Sequence, residues 1–192
     1  MTEDINQSIP KPYFDIDKET KACGFTMPSD ILTYSLLRTL AVSKPAGKFL
    51  ELGTGTGLST AWILDGMDSN STLTSLDNDE AVLAIARKYL GGDSRLNLVY
   101  GNGEDWIKNN KGQKFDYIFA DTWPGKYFLS DEVLEMLNIG GLYIVDDMLP
   151  QPNWSQGHPE KVTGFVKNLE SRKDLILTKL NWATGIIIAV KK

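Results

Sequence analysis

The chain has 192 residues, of which 42% are hydrophobic, and a formal net charge of -5. This length and composition predict one domain with a sizeable core rather than two small domains. Lysines and arginines form no basic run, which argues against a nucleic-acid partner and favours a small-molecule partner.

Cysteine usage and the opening residues indicate a cytoplasmic protein. Cys23 is the only cysteine, so no intramolecular disulfide can form. The opening segment "MTEDINQSIPKPYFD" does not show the basic-then-apolar pattern of a signal peptide. No apolar run approaches the roughly 18 residues that a membrane span requires. We therefore expect a cytoplasmic protein without a membrane partner.

The beginning of the chain differs from the rest. Residues 1–25 are polar, contain prolines and show no periodicity, which predicts a flexible N-terminal arm or lid. A single domain is then expected over residues 26–192. It opens with "PSDILTYSLLRTLAVS", where apolar residues at helical spacing follow a start signal at Ser29 and Asp30. The short apolar segment "GKFLEL" follows as the first strand.

Helix and strand patterns then alternate along the chain. Helices are predicted for "STAWILDGM", "DEAVLAIARKYL", "EDWIKNN" and "DEVLEMLN", and strands for "TLTSL", "LNLVY", "FDYIFA" and "GLYIV". After the helix "HPEKVTGFVKNLE", only "NWAT" separates the strand patterns "LILTKL" and "GIIIAVKK", which is hairpin spacing. The predicted fold class is α/β, a Rossmann-like, doubly wound, mostly parallel sheet of seven strands with an antiparallel C-terminal hairpin.

A glycine-rich segment, "FLELGTGTGLST", follows the first strand and precedes a helix. Gly53, Gly55 and Gly57 allow positive φ angles and a close ligand approach, and the helix start offers free N–H groups to an anion. Dinucleotide folds favour G-x-G-x-x-G, whereas G-x-G-x-G preceded by Glu51 is typical of S-adenosylmethionine sites. Asp77, at the end of the second strand, can accept both ribose hydroxyls. The alternative is a merely tight turn with Asp77 capping the next helix.

The sequence resembles class I S-adenosylmethionine-dependent methyltransferases. Its segment "FDYIFADTWPGKY" is similar to catechol O-methyltransferase-like enzymes, in which a strand ends in Asp, with Trp two and Tyr six residues later; Asp121, Trp123 and Tyr127 match. "GGLYIVDDM" resembles that family's next strand, which ends in two adjacent metal ligands. Asp146 matches the first, and Asp147 replaces the usual Asn. The similarity extends from about residue 27 to the C-terminus.

The resemblance implies a site for S-adenosyl-L-methionine. Glu51 and Ser59 would line the methionine end with Gly53, and Asp77 would hold the ribose. The adenine would lie against an indole face and the start of the helix in "GNGEDW". The predicted cofactor-binding residues are Glu51, Gly53, Thr54, Gly55, Gly57, Ser59, Asp77, Asn78, Gly103, Glu104, Asp121 and Trp123. Two alternatives remain. Trp123 packs in the core, or Glu104 is a first-turn acid favoured by the helix dipole.

The resemblance also implies a metal site at the strand ends. Asp121 and Asp146 would follow neighbouring parallel strands at the edge where ligands bind. If the backbone turns there, as Pro150 suggests, Asp147 joins them, and three carboxylates suit Mg²⁺, Mn²⁺ or Ca²⁺. Such an ion would align the hydroxyls of an acceptor. In the alternative, Asp146 and Asp147 cap loop N–H groups in a metal-free methyltransferase.

The candidate catalytic residues are Asp121 and Lys126. The lysine that acts as general base in catechol-type members is absent from its matching position, which Pro124 occupies. Lys126 lies two residues further on and reaches the acceptor oxygen if the Pro-Gly turn redirects it; the alternative is a surface lysine. His158, the only histidine, is either a base above the pocket or structural.

The expected function is metal-assisted methyl transfer from S-adenosyl-L-methionine to a hydroxyl of a small aromatic acceptor, by a protein that forms homodimers. One alternative is a metal-independent methyltransferase acting on nitrogen, carbon or a carboxylate. A nicotinamide-dependent oxidoreductase is disfavoured by the G-x-G-x-G spacing and by the lack of a Tyr/Lys or His hydride-transfer pair. A non-catalytic nucleoside-binding module is the third alternative, and the displaced lysine supports it.

Overall fold

The helices and strands follow the predicted order in a computed structural model that describes residues 8–152 and 154–192. In this part of the chain, the helices are α1 (Lys11–Ala22), α2 (Ile31–Val42), α3 (Leu58–Gly66), α4 (Glu80–Leu90), α5 (Gly103–Asn109), α6 (Ser130–Glu135) and α7 (His158–Ser171). The strands are β1 (Lys48–Leu52), β2 (Thr72–Asp77), β3 (Leu96–Tyr100), β4 (Phe115–Ala120), β5 (Leu137–Val145), β6 (Leu175–Leu180) and β7 (Ile186–Lys191).

The strands form one sheet in the order β3-β2-β1-β4-β5-β7-β6. Strands β1 to β5 pair in parallel, and β7 lies antiparallel to both β5 and β6. The predicted fold class is therefore confirmed, including the antiparallel C-terminal hairpin. The chain moves outward from β1 to β3 and then returns to β4, so the strand order reverses between β1 and β4. The carboxyl ends of these two strands open the crevice where ligands bind in such sheets.

Both faces of the sheet are covered by helices. Along β1, Phe49 and Leu50 point to opposite faces, and each belongs to a different buried apolar cluster. The first cluster includes residues of α1 to α4, and the second includes residues of α5 to α7. Since strands buried on both faces are nearly continuous apolar runs, "FLEL" and "YIFA" gave strong strand signals.

The N-terminal segment corrects the expectation of a flexible arm. Residues 11–22 form helix α1, whose Ile16 is fully buried in the first cluster. Tyr13 meets Trp62 edge to face with 6.1 Å between ring centroids, and the Thr20 Oγ1 lies 2.7 Å from the Thr56 Oγ1. The apolar stripe of α1 is narrow, so its mostly polar sequence concealed it. Residues 1–7, which belong to the same prediction, lie outside the described residues.

Within the described residues, no helix has both the length and the apolar character needed to cross a membrane.

Candidate active site

The glycine loop, residues 53–57, has the backbone that its sequence predicts. Gly53, Gly55 and Gly57 have φ angles of +103°, +53° and +95°. A Cβ atom on Gly53 would lie 2.5 Å from Thr122 Cγ2, and one on Gly57 would lie 2.9 Å from the Cβ of Ala86. The glycines therefore let the loop pass close to the β4 end and let α3 begin against α4.

A first cavity of about 270 Å³ lies over this loop, and Asp77 lines it. The Asp77 Oδ2 accepts a hydrogen bond from the Gly55 N–H at 2.7 Å, and its Oδ1 accepts one from the Asp79 N–H at 3.0 Å. The capping alternative is wrong, because Asp79 caps α4 by accepting from the Ala81 N–H. The predicted residues that line this cavity are Gly53, Thr54, Gly55, Ser59, Asp77, Asn78 and Asp121.

Glu51 lies below the first cavity and does not line it. Its carboxylate accepts hydrogen bonds from the hydroxyls of Ser59 and Thr60, both at 2.6 Å, and from Ser75. Complete burial raises the pKa of Glu51 to about 7, although these hydroxyls lower it. Instead of lining the methionine end, as expected, Glu51 positions Ser59, which does line the cavity.

The predicted adenine residues are only partly brought together. A third cavity of about 70 Å³ is lined by Gly103 and also by Asn102, which the sequence reading missed. Asn102 caps α5 by accepting from two backbone N–H groups, and Asn before a helical pattern was the available signal. Glu104 is directed to Lys108, at 3.5 Å, and Trp123 lines a different cavity. The adenine border at Glu104 and Trp123 therefore stays a prediction, with Gly103 and Trp123 at two cavities that share Asn78, Thr122 and Pro124.

A second cavity of about 620 Å³ adjoins the first. Asp121 lines both cavities, as do Ser29 and Asn78, so the two spaces meet at the end of β4. The outer wall of the second cavity is aromatic: the Trp154 and His158 rings stack with centroids 4.4 Å apart, and Trp123 stands edge-on to His158. No role at the site was predicted for Trp154 from the sequence.

The acids at the ends of β4 and β5 lie side by side: Asp146 is buried, and the Asp121 side chain is 22% exposed. The Asp121 Oδ2 accepts a hydrogen bond from the Ser29 hydroxyl at 2.8 Å. The Asp146 Oδ1 accepts from the Asp147 N–H at 2.7 Å and from the Thr184 hydroxyl. Burial raises the pKa of both carboxyls, and the neighbouring Asp146 raises that of Asp121 further. The predicted convergence of these two acids is therefore present.

Asp147 does not complete a three-acid site. Its φ of +62° shows that the strand has ended, as predicted, but its Oδ2 accepts a hydrogen bond from the Trp154 Nε1–H at 3.0 Å. Among the described residues, no three acidic, histidine or cysteine side chains are arranged to hold a metal ion. The expected Mg²⁺ site therefore does not fit this arrangement of Asp121, Asp146 and Asp147. Of the two acids in the capping alternative, Asp146 accepts a backbone N–H, that of Asp147, whereas Asp147 accepts the indole N–H of Trp154.

Lys126 is a buried residue, so the surface alternative is wrong. Only 3% of it is exposed, and it lines the second cavity. Its Nζ lies 3.9 Å from the Asp121 Oδ1 and 5.4 Å from the centroid of the Tyr127 ring. The displaced lysine thus pairs with Asp121 at the end of β4.

His158 also lies at the second cavity. Its Nε2 is 2.9 Å from the Tyr127 hydroxyl, and burial lowers the pKa of the imidazole. It forms part of the aromatic wall, because Trp154 covers one face of its ring.

Comparison with known proteins agrees with this geometry. A family model described as a methyltransferase domain matches residues 50–148, just over half of the chain. A Mycobacterium leprae relative provisionally named an O-methyltransferase is 33% identical over 94 residues, which are 47% of this chain and 41% of the relative. A Mycobacterium avium relative with the same provisional name is 30% identical over 129 residues, which are 64% of this chain and 56% of the relative. The chain thus spans only about half the length of these relatives.

Solved structures share the fold. The O-methyltransferase from Bacillus cereus, in complex with SAH, covers 98% of this chain and 93% of its own with a TM-score of 0.84 and 19% identity. The O-methyltransferase TomG from Streptomyces achromogenes, in complex with SAM, covers 98% and 92% with a TM-score of 0.81 and 17% identity. These likenesses concern the fold. Together with the family match over the glycine loop and both strand-end acids, they confirm the resemblance, and the chain belongs to the methyltransferase-domain family.

Proposed function

We propose that this protein transfers the methyl group of S-adenosyl-L-methionine to a hydroxyl of a small aromatic acceptor. The observation that carries the proposal is the meeting of two cavities at Asp121. The first cavity has the glycine loop and Asp77, which suit a nucleoside with a charged tail. The second has room for a small molecule beside it, so donor and acceptor can be held in contact.

Similar proteins support S-adenosyl-L-methionine as the methyl donor. The two relatives carry provisional O-methyltransferase names, and the Bacillus cereus and Streptomyces achromogenes structures contain SAH and SAM. In this chain, Asp77 would accept hydrogen bonds from the ribose hydroxyls. Ser59, held by Glu51, would donate to the carboxylate of the methionine end.

The reaction requires one bond exchange. The bond between the methyl carbon and the sulfonium sulfur breaks while the acceptor oxygen forms a bond to that carbon, which gives S-adenosylhomocysteine and a methyl ether. The hydroxyl proton passes to the carboxylate of Asp121, because Asp121 lines both cavities. Ser29 holds the other oxygen of this carboxylate and fixes its orientation. No step is assigned to a divalent ion, because the acids do not form a site that fits one.

The wall of the second cavity supports the proposal of an aromatic acceptor. Its volume of about 620 Å³ falls within the range of small-molecule sites. Trp123, Trp154 and His158 offer ring faces and edges against which a planar acceptor can pack. The oxygen atoms of Asp121 and Asp146 form the polar end, where the hydroxyl of the acceptor would lie.

Two measurements test this proposal. Calorimetry should show that S-adenosylhomocysteine binds, and mass spectrometry should show methyl ethers when the protein is incubated with S-adenosyl-L-methionine and hydroxylated aromatics. Asp121→Asn should keep cofactor binding and lower kcat by about 100-fold or more, within the usual range for an acid–base residue. The exposed Asp15→Asn is the matched control. If cofactor binding is absent, or if only amines or carboxylates are methylated, the proposal is wrong.

A further inference from the structure

Lys126 places a buried positive charge beside a partly buried carboxylate, that of Asp121, and near a buried one, that of Asp146. Its Nζ lies 3.9 Å from the Asp121 Oδ1, and Asp146, at the neighbouring strand end, is 1% exposed. Adjacent carboxylates that are wholly or partly buried repel each other and lose hydration, so a nearby positive charge stabilises them. Among the described residues that line the second cavity, Lys126 is the one lysine or arginine.

The backbone of the turn after β4 fixes this lysine in place. Gly125 has a φ of +85°, and a Cβ atom there would overlap the Cδ1 of Leu52. The carbonyl of Gly125 accepts a hydrogen bond from the buried Tyr143 hydroxyl. The Lys126 N–H donates to the Trp123 carbonyl at 3.1 Å. These contacts hold the backbone at Lys126, and burial confines its side chain, which is 4% exposed.

The other strand-end acid is already engaged. The Asp147 carboxylate accepts the Trp154 indole N–H at 3.0 Å, so it is held against the aromatic wall. Thr184 and Ser29 hold one oxygen each of Asp146 and Asp121. Each of the three carboxylates therefore has a neutral hydrogen-bond donor. The Lys126 ammonium group is the positive charge that compensates them.

We propose that the Lys126 ammonium supplies the positive charge that a divalent ion was expected to supply beside Asp121 and Asp146. It offsets part of the negative charge of Asp121 and Asp146, and its N–H groups stabilise the acceptor oxygen while the methyl group is transferred. In this arrangement the hydroxyl proton still passes to Asp121. Methyl transfer then needs no divalent ion. The catalytic part of this inference rests on the proposed function, whereas the charge compensation can be measured without turnover.

The first experiment measures metal binding directly. Full-length protein is titrated with Mn²⁺ while electron paramagnetic resonance follows the free ion, with and without S-adenosylhomocysteine. The wild-type protein should bind no Mn²⁺ at the strand ends even at millimolar concentration. Lys126→Met should gain a Mn²⁺ site, because Asp121 and Asp146 lose their compensating charge. Lys126→Arg keeps the charge and should gain none, and Lys167→Met, which removes an exposed lysine of α7, is the matched control.

The second experiment measures turnover. The wild-type rate should be the same in chelator and in Mg²⁺, and Lys126→Met in chelator should lose about 100-fold in kcat, comparable to the loss of one oxyanion donor. Stoichiometric Mn²⁺ binding by the wild-type protein, or a wild-type rate that chelator abolishes and Mg²⁺ restores, would overturn the inference. The wild-type titration decides the matter even if Lys126→Met does not fold. Absence of cofactor binding would instead contradict the proposed function, so the two failures are distinguishable.

Discussion

Asp77 and Glu51 are two acids near the glycine loop with opposite surroundings. Asp77 lines the first cavity and accepts N–H groups of the loop, whereas Glu51 is fully buried and accepts three hydroxyls. The sequence predicted both as cofactor residues, since each stands at a strand end or beside a glycine. It could not separate a residue that faces the ligand from one that positions a neighbour, because residue type and spacing do not record the direction of a side chain.

Asp77→Ala should weaken the binding of S-adenosylhomocysteine by roughly 10- to 100-fold, which is the range for losing charge-assisted hydrogen bonds. The loop would also lose the acceptor of the Gly55 N–H. Isothermal titration calorimetry measures the effect, with the exposed Asp15→Ala on α1 as control. An unchanged dissociation constant for Asp77→Ala would remove Asp77 from the ribose site.

At the scale of the elements, the turn after β4 carries Lys126 to the acids. The motif "DTWPGKY" shows a lysine displaced from the family position, and only the folded turn shows that it is buried. The turn can take this path because Gly125 has a positive φ and packs against Leu52 of β1, where a side chain would not fit.

Gly125→Ala should destabilise the protein by about 2–4 kcal/mol, because alanine is strained at positive φ and would overlap Leu52. Gly112→Ala is a matched control, since nothing lies within 4 Å of a Cβ atom at that glycine. Urea unfolding followed by circular dichroism compares the two variants. Equal midpoints would show that the turn tolerates a side chain.

Helix α1 is the element that the sequence pattern did not reveal. It contacts α3 and α4, and Thr20 reaches Thr56 in the glycine loop. Its core residues are separated by polar ones, so the contacts that hold it come from other parts of the chain.

Ile16→Ala should lower the free energy of unfolding by about 2–4 kcal/mol, the usual cost of truncating a buried aliphatic side chain. Phe14, two residues earlier, is 61% exposed, and Phe14→Ala should change the free energy by no more than about 0.5 kcal/mol. The same urea experiment distinguishes them. A flexible arm would give two variants with wild-type stability.

At the scale of the whole molecule, buried acids link stability to pH. Burial raises the pKa of Glu51 from 4.5 to about 7, so the folded state holds this proton more tightly than the unfolded state. Its contribution to stability is complete below pH 4.5 and is lost as the pH rises towards 7. Asp121 and Asp146 act in the same direction, since burial raises the pKa of both.

Wild-type stability should therefore fall between about pH 4.5 and pH 7, with up to about 3 kcal/mol of the fall due to Glu51. Glu51→Gln removes one titrating group and should show a shallower fall over this window. Urea titrations at several pH values give the two slopes. Identical slopes would mean that Glu51 has the same pKa in both states.

The cytoplasmic location and the homodimer remain predictions of the sequence. Size-exclusion chromatography with light scattering tests the second.

The sequence determined the helices and strands other than α1, the parallel sheet with its terminal hairpin, and the methyltransferase resemblance. Apolar runs, helical spacing and a glycine motif are local patterns, and each fixes local backbone and burial. It also placed Asp121 and Asp146 together, because parallel strands end at one edge.

The tertiary structure alone decided which of these residues face a ligand. Glu51 lies below the first cavity, Trp123 lines the second, Asp147 is held by Trp154, and Lys126 is buried beside Asp121. Side-chain direction at the end of a strand depends on the turn that follows and on contacts with distant segments. These contacts join residues far apart in sequence, and no short motif records them.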